Sequence, residues 1–159
     1  MFLVSGPPSP GAWLSMAIQK RDFYEGAALH QIIRGSPQAS VCYSPPLFVF
    51  NGRIQVHLKY CTAKRSPWNF TFAADEQVLM QQWAQAGPLV MGLICGADGI
   101  AALPYHAYDQ VAGIRDVALH LACRRRHREH FEVVGPIGTL PQKIAPSDWA
   151  RLLGASDGE

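Results

Sequence analysis

The residues best suited to chemistry alternate along one short segment, residues 54–60, where apolar side chains are interleaved with Gln55, His57 and Lys59. A period of two is typical of a half-buried β-strand, so we expect these three polar side chains to share one face. Lysine binds phosphate as a point charge, and histidine exchanges protons near neutral pH. The pattern therefore indicates a phosphate-binding or catalytic surface, or alternatively the solvated face of an antiparallel sheet.

An Asn-Gly pair directly before this segment predicts a β-hairpin. Asn51 and Gly52 tolerate the positive φ angles that a type I′ turn requires. With a two-residue loop, residues 47–50 pair with 53–56 and Phe50 faces Arg53. One face of the hairpin is then apolar, and the other is both basic and aromatic, with Phe48, Phe50, Arg53, Gln55, His57 and Lys59.

Two other segments carry clustered positive charge. Lys64 and Arg65 lie in a loop just before Trp68, and the densest basic run follows later in the chain: Arg124, Arg125, Arg126, His127 and Arg128. Such clusters contact phosphate backbones, and a neighbouring aromatic ring can stack on a base. The alternative is a solvated turn in each case, with Trp68 in the core. Because the formal net charge is only +2, a nucleic-acid interpretation depends on where the charges lie.

Two acidic residues complete the candidate set. Glu25 lies in the first expected helix, three residues after Asp22. It suits a metal ligand or general base, and equally the partner of an Asp22 N-cap in a capping box. Asp98 follows a buried strand, where functional sites often collect, but Asp98 followed by Gly99 is also typical of a turn.

The hydrophobic patterns predict an α+β (α/β) fold with a single mixed β-sheet, in which the Asn-Gly hairpin is central and helices flank the sheet. We expect helices over 22–34, with an extension back to Ala12 as the alternative, and over 76–86, 105–112 and 147–153. Strands are expected over 41–50, 54–60, 68–72, 89–95, 100–103, 117–123 and 131–134, with a helix as the alternative over 117–123. The 159 residues, 48% of them hydrophobic, suit one domain over 12–154, between a disordered tail at 1–11 and a C-terminal tail at 155–159.

Several classes of protein are disfavoured. No apolar run is long enough for a membrane span, and there is no Walker A, G-x-S-x-G, G-x-G-x-x-G or H-E-x-x-H motif. The four cysteines form no C-x-x-C pair, which disfavours zinc. They suit buried free thiols in the cytoplasm, with a cross-strand disulfide between Cys42 and Cys61 as the alternative.

The element order over residues 22–103 resembles that of the PD-(D/E)XK superfamily of restriction-endonuclease-like nucleases. By position, Lys59 matches the motif lysine, Glu25 matches a glutamate of the first helix, and His57 occupies the place of the motif glutamate. The resemblance implies Mg²⁺-dependent hydrolysis of phosphodiesters. The chain has no Asp or Glu between Glu25 and Asp75, so the strand carboxylates of the motif are missing.

These observations lead to two hypotheses. In the first, a nuclease-like domain binds nucleic acid through Lys59, Lys64, Arg65 and residues 124–128. If this domain is catalytic, Glu25 and Asp98 would bind Mg²⁺, while Lys59, His57 and Glu25 would form the catalytic group. In the second, a non-catalytic domain binds a protein partner through a patch of Phe48, Phe50 and His57.

Overall fold

The computed structural model describes residues 17–113, 115–126 and 129–154, which form four helices and nine strands. The helices are α1 (Lys20–Gly35), α2 (Ala74–Ala86), α3 (Tyr105–Ala112) and α4 (Asp148–Gly154). The strands are β1 (Val41–Ser44), β2 (Leu47–Phe50), β3 (Ile54–Cys61), β4 (Trp68–Phe72), β5 (Leu89–Cys95), β6 (Ile100–Pro104), β7 (Leu119–Arg124), β8 (Glu132–Gly135) and β9 (Gly138–Thr139). The expected tails at 1–11 and 155–159, together with His127 and Arg128, lie outside the described residues.

The α+β class is confirmed, but the strands form two sheets instead of the expected single one. The first is a mixed sheet with the order β1-β2-β3-β5-β6, in which only β3 and β5 are parallel neighbours. The second is antiparallel, with the order β4-β7-β8-β9. The expectation failed at β4, because its alternating aromatic residues form the buried face of the second sheet.

The two faces of the first sheet pack against different partners. One face meets α1 and α4 through residues such as Ile32 and Trp149, together with Val56 of β3. The opposite face packs against the second sheet and the helices α2 and α3. The central strands of the first sheet are therefore covered on both sides, whereas β1 is exposed. The polar face of β3 points toward the second sheet instead of open solvent.

The hairpin turn is confirmed, but its expected register is wrong by one residue. Asn51 and Gly52 have φ angles of 57° and 65°, and the Arg53 amide donates to the carbonyl of Phe50. The ladder then pairs Phe50 with Ile54, so Arg53 is an extra loop residue. Phe50 consequently shares the buried apolar face with Ile54 and has no exposed surface. The expected basic and aromatic face is not formed.

Helix α1 begins at Lys20, between the two expected starts, and α2 begins at Ala74, two residues earlier than expected. Gln19 is the N-cap of α1, and Asp22 reaches back to accept a hydrogen bond from its amide at 2.8 Å. Asp22 is therefore the third helical residue, and Glu25 is not its capping partner. In α2 the same position is held by Glu76, which accepts from the Ala73 amide at 3.1 Å. A carboxylate at this position satisfies a backbone N–H that the helix leaves unpaired.

The cysteines and the helices bear on two further expectations. Cys42 lies opposite Val49, and Cys61 lies opposite Cys95, so the alternative of a Cys42–Cys61 disulfide is wrong. All four thiols are free, and Cys42 is exposed, not buried. No helix among the described residues is both long and apolar enough to cross a bilayer.

Candidate nucleic-acid interface

A carboxylate on α2 brings His57 and Lys59 together. Glu76 Oε2 lies 2.8 Å from both Lys59 Nζ and His57 Nε2, while Oε1 accepts from the Ala73 amide. We call His57, Lys59 and Glu76 the Glu76 cluster. Their side chains are only 13%, 17% and 20% exposed, so solvent and salt screen these interactions weakly.

The Glu76 cluster has a defined protonation pattern. Burial opposes ionisation of Glu76, but hydrogen bonds from His57 and Lys59 and the charge of Lys59 outweigh it, and they lower the pKa of Glu76 to about 2. Because an ionised carboxylate only accepts, His57 Nε2 must carry a proton. The other ring nitrogen, Nδ1, is buried and has no hydrogen-bond partner among the described residues.

The polar face of β3 holds α2 in place. Besides the bonds to Glu76 in the first turn, Gln55 Nε2 donates to the carbonyls of Trp83 at 2.8 Å and Gly87 at 3.1 Å at the end of the helix. The Lys59 ammonium also lies 4.5 Å from the centre of the Phe72 ring. The alternation at 55, 57 and 59 therefore indicates a buried helix-binding face, and the alternative of a solvated sheet face is wrong.

A cavity of about 540 Å³ opens beside the Glu76 cluster. The ladder between β2 and β3 ends at the pair Phe48 and Val56, so from His57 onward β3 pairs only with β5 among the described strands. The cavity occupies this edge, with the Glu76 cluster in its lining and Glu25 contributed by α1. Burial raises the pKa of Glu25, although Arg21 and His57 oppose this effect. Glu25, His57 and Lys59 thus line one cavity, as the first hypothesis requires.

The donor set of this cavity does not fit Mg²⁺. Both carboxylate oxygens of Glu76 already accept hydrogen bonds. Oε2 accepts from His57 and Lys59, and Oε1 accepts from the Ala73 amide. Asp98 does not line the cavity, and its carboxylate lies 2.9 Å from Arg125 Nη1. Glu25 is then left without a second carboxylate to share a hard cation that prefers oxygen ligands. No cluster of three or more His, Cys, Asp or Glu side chains in the described ranges suits a metal ion.

The two basic segments are neighbours in the fold. Antiparallel pairing places Trp68 opposite Cys123, so the loop before β4 and the segment after β7 meet at one end of the second sheet. The Arg125 amide donates to Ser66 Oγ at 3.0 Å and joins them. The exposed side chains there define the basic surface: Lys64, Arg65, Arg124 and Arg126. Arg128, which was also expected to contact nucleic acid, lies outside the described residues.

Arg125 and Trp68 have structural contacts instead of solvent-facing ones. Arg125 is 17% exposed and donates to the Asp98 carboxylate, to the Asp98 carbonyl and to the carbonyl of Glu129. Its guanidinium also covers the Phe131 ring at 4.8 Å. Trp68 is 2% exposed, and its indole N–H donates to the Ala63 carbonyl. Trp68 belongs to the core, so it does not stack on a base.

One face of the second sheet connects the cavity with the basic surface. Asn69 and Thr71 of β4 line the cavity. Their cross-strand partners on β7 are Ala122 and His120, and Thr71 Oγ1 lies 2.9 Å from His120 Nδ1. Arg124 is two residues beyond Ala122, so it lies on the same face. An extended polymer bound along this face could therefore contact the cavity and the basic surface at the same time.

The protein-binding patch of the second hypothesis is not formed. Phe50 has no exposed surface, while His57 is 13% exposed and lies on the opposite face of the first sheet. The shifted hairpin register separates them, because Phe50 pairs with Ile54 instead of Arg53.

No protein-family model matches the chain, and a search of curated proteins also gives no match. The proposed function therefore depends on the geometry and the charge of the described residues.

Proposed function

We propose that this protein binds nucleic acid through the basic surface. The observation that supports this most directly is the hydrogen bond between Ser66 and Arg125, which joins two basic segments from positions 59 residues apart. Four exposed cations then lie together in a chain whose formal net charge is only +2. Clustered Lys and Arg side chains neutralise phosphates and release condensed counterions, which drives binding.

The carboxylates near the basic surface leave most of its charge available. Asp98 is paired with Arg125, and Glu129 lies 3.9 Å from Lys143. Glu132 reaches Arg124 only at 4.0 Å, and the Arg124 and Glu132 side chains are 56% and 36% exposed. Exposed ion pairs of that length contribute little free energy, so Glu132 competes only weakly with a phosphate for Arg124.

We propose binding without Mg²⁺-dependent cleavage. The resemblance to PD-(D/E)XK nucleases over residues 22–103 points to the same class of ligand, but the hydrogen bonds to Glu76 leave the cavity poorly suited to the metal. The four free thiols suit a cytoplasmic protein, which is where we propose that it acts.

Fluorescence anisotropy with labelled DNA and RNA across a salt series tests the proposal. If the four cations each contact a phosphate, the logarithm of the binding constant should fall with the logarithm of salt concentration with a slope of about −3 to −4. Replacing all four residues of the basic surface by Ala should abolish this binding at physiological salt.

A control variant carries four Ala substitutions at exposed cations elsewhere: Lys20, Arg34, Arg115 and Arg151. It removes the same formal charge, so it should retain most of the affinity. Absence of binding by the native protein at low salt contradicts the proposal. Equal losses in the two variants also contradict it, because they would indicate general charge attraction instead of a defined surface.

The binding reaction also tests the metal interpretation. With Mg²⁺ or Mn²⁺ present, we expect the anisotropy of a bound labelled strand to stay constant with time. Cleavage that requires the metal and disappears in Lys59→Ala would show that the cavity is a metal-dependent nuclease site after all.

A further inference from the structure

We propose that the cavity beside the Glu76 cluster holds one unpaired base of a single strand, while the flanking phosphates contact the basic surface. This inference rests on the proposed function and names its substrate class. It concerns the part of the surface that a double helix would not use, since a paired base cannot leave its stack without a cost.

The charge distribution favours a base over a phosphate inside the cavity. The lining includes two carboxyl groups, Glu25 and Glu76, and two cations, Arg21 and Lys59, so its formal charges balance. The ammonium of Lys59 is already paired with Glu76 at 2.8 Å. The charge of Arg21 acts on the neighbouring Glu25 carboxyl. A phosphate placed in the cavity would therefore meet no net positive charge, whereas a base carries no charge. The cations at the basic surface remain for the phosphates.

Tyr43 provides a stacking platform at this cavity. Its side chain is 60% exposed and belongs to the cavity lining. The ring stacks on Phe48 of the neighbouring strand, with centroids 4.8 Å apart and an angle of 28° between the planes. That contact fixes the ring, while the exposed surface remains free for a base. Aromatic platforms of this kind bind single strands with little dependence on sequence.

Polar groups around the cavity match the edge of an unpaired base. Asn69 is exposed, and its amide makes no hydrogen bond within the described part of the chain. It offers both a donor and an acceptor, and the Glu25 carboxyl offers oxygens from the α1 side. Watson–Crick edges are accessible only in single strands, loops and ends. The volume of about 540 Å³ lies within the usual range for small-ligand pockets.

The experiment compares single-stranded oligonucleotides with blunt-ended, two-stranded duplexes, about 12 nucleotides per strand, in DNA and RNA, by fluorescence anisotropy with the full chain. Native protein should bind the single strand about tenfold more tightly than the duplex. Tyr43→Ala should remove about tenfold of the single-strand affinity and leave duplex affinity and the salt slope unchanged. Tyr43→Phe keeps the ring and should retain native affinity.

Phe23→Ala is the matched control, because Phe23 is a 68% exposed aromatic residue of α1 that does not line this cavity. It should not change either affinity. Salt-dependent binding that is equal for both strand forms, or that Tyr43→Ala leaves intact, would overturn this inference and leave the proposed function standing. Absence of any binding would overturn both. Circular dichroism melting of each variant shows whether the fold is retained.

Discussion

At the scale of single residues, Glu76 makes the clearest prediction, because two nitrogen donors share one of its oxygens. Glu76→Gln removes the charge and leaves Lys59 without its partner in a site that is mostly shielded from water. We expect the free energy of unfolding to fall by about 2–3 kcal/mol, measured by urea denaturation.

Glu129→Gln is the control for this substitution. Glu129 is paired with Lys143 at 3.9 Å, and both side chains are about half exposed. Its replacement should cost less than about 0.5 kcal/mol. A comparable loss in the two variants would contradict the importance of the Glu76 cluster.

The pH dependence of stability follows from the same carboxylate. The folded-state pKa of Glu76 is about 2, below its ordinary value of 4.5, so its contribution to stability is fully present above pH 4.5. It is lost as the pH falls from 4.5 toward 2, because the unfolded chain then binds the proton more readily. The raised pKa of Glu25 acts in the opposite direction, since its ionisation at higher pH costs stability.

Urea denaturation between about pH 6 and pH 3 should therefore show a steeper loss of stability for the native protein than for Glu76→Gln. The two curves should converge as the solution becomes more acidic. Parallel curves over this range would show that Glu76 is not held ionised by the cluster.

Residue types and spacing predicted part of this site. The alternation placed His57 and Lys59 on one face, and both line the cavity with Glu25. Glu76 was not predicted, because its partners are 17 and 19 positions away and the contact depends on how α2 packs. Its place at the third position of α2 is the available signal, but the expected helix over 76–86 puts Glu76 at the first position instead.

At the scale of elements, Gly96 controls how the turn after β5 fits against the loop before β4. It has a φ of +56°, and a Cβ there would lie 2.5 Å from the Ala63 carbonyl oxygen. Gly96→Ala should lower the free energy of unfolding by about 2 kcal/mol or more. Because Ala63 lies next to Lys64, the same variant should also weaken nucleic-acid binding.

Gly26→Ala provides the comparison, because Gly26 lies within α1 and a Cβ there meets nothing within 4 Å. It should raise the free energy of unfolding by about 0.5–1 kcal/mol, since alanine favours a helix more than glycine does. Thermal unfolding of both variants checks the pair. A stable Gly96→Ala variant with unchanged binding would show that the loop can shift without consequence.

The hairpin shows how far local patterns predict an element. Asn51 and Gly52 correctly predicted a turn with positive φ at both positions. The predicted number of two loop residues was wrong, because the loop length depends on which partner gives Phe50 a buried position. The structure admits Arg53 into the loop, and this buries Phe50 beside Ile54.

At the scale of the whole molecule, Arg125 joins the two sheets. It follows β7 of the second sheet and binds Asp98 in the turn between β5 and β6 of the first. Arg125→Ala should lower the free energy of unfolding by about 2 kcal/mol, because hydrogen bonds to charged groups and a ring contact are lost together. Arg125→Lys should not restore it, since lysine lacks the planar fork.

Arg126→Ala is the matched control, because Arg126 is the exposed neighbour in the basic surface. It should leave stability nearly unchanged and weaken nucleic-acid binding instead. Chemical denaturation and anisotropy on the same two variants separate these effects. Equal stability of the two variants would show that Arg125 does not connect the sheets.

The division into two sheets was beyond sequence reasoning. The alternation at 68–72 predicted a strand, but a strand of that pattern can join any sheet with an apolar face. Its partner β7 begins at Leu119, so the choice depends on non-local packing. The α+β class, in contrast, follows from the mixture of helical and alternating segments, and it is confirmed.

The attachment of α2 to β3 has a consequence for sequence divergence. Gln55, His57 and Lys59 bind the helix at its two ends, through Glu76 and through the carbonyls of Trp83 and Gly87. Loss of the acid at position 76 would leave positions 57 and 59 without a counter-charge in a shielded site. Among homologues, positions 57, 59 and 76 should covary. An apolar residue at position 76 should accompany uncharged residues at positions 57 and 59.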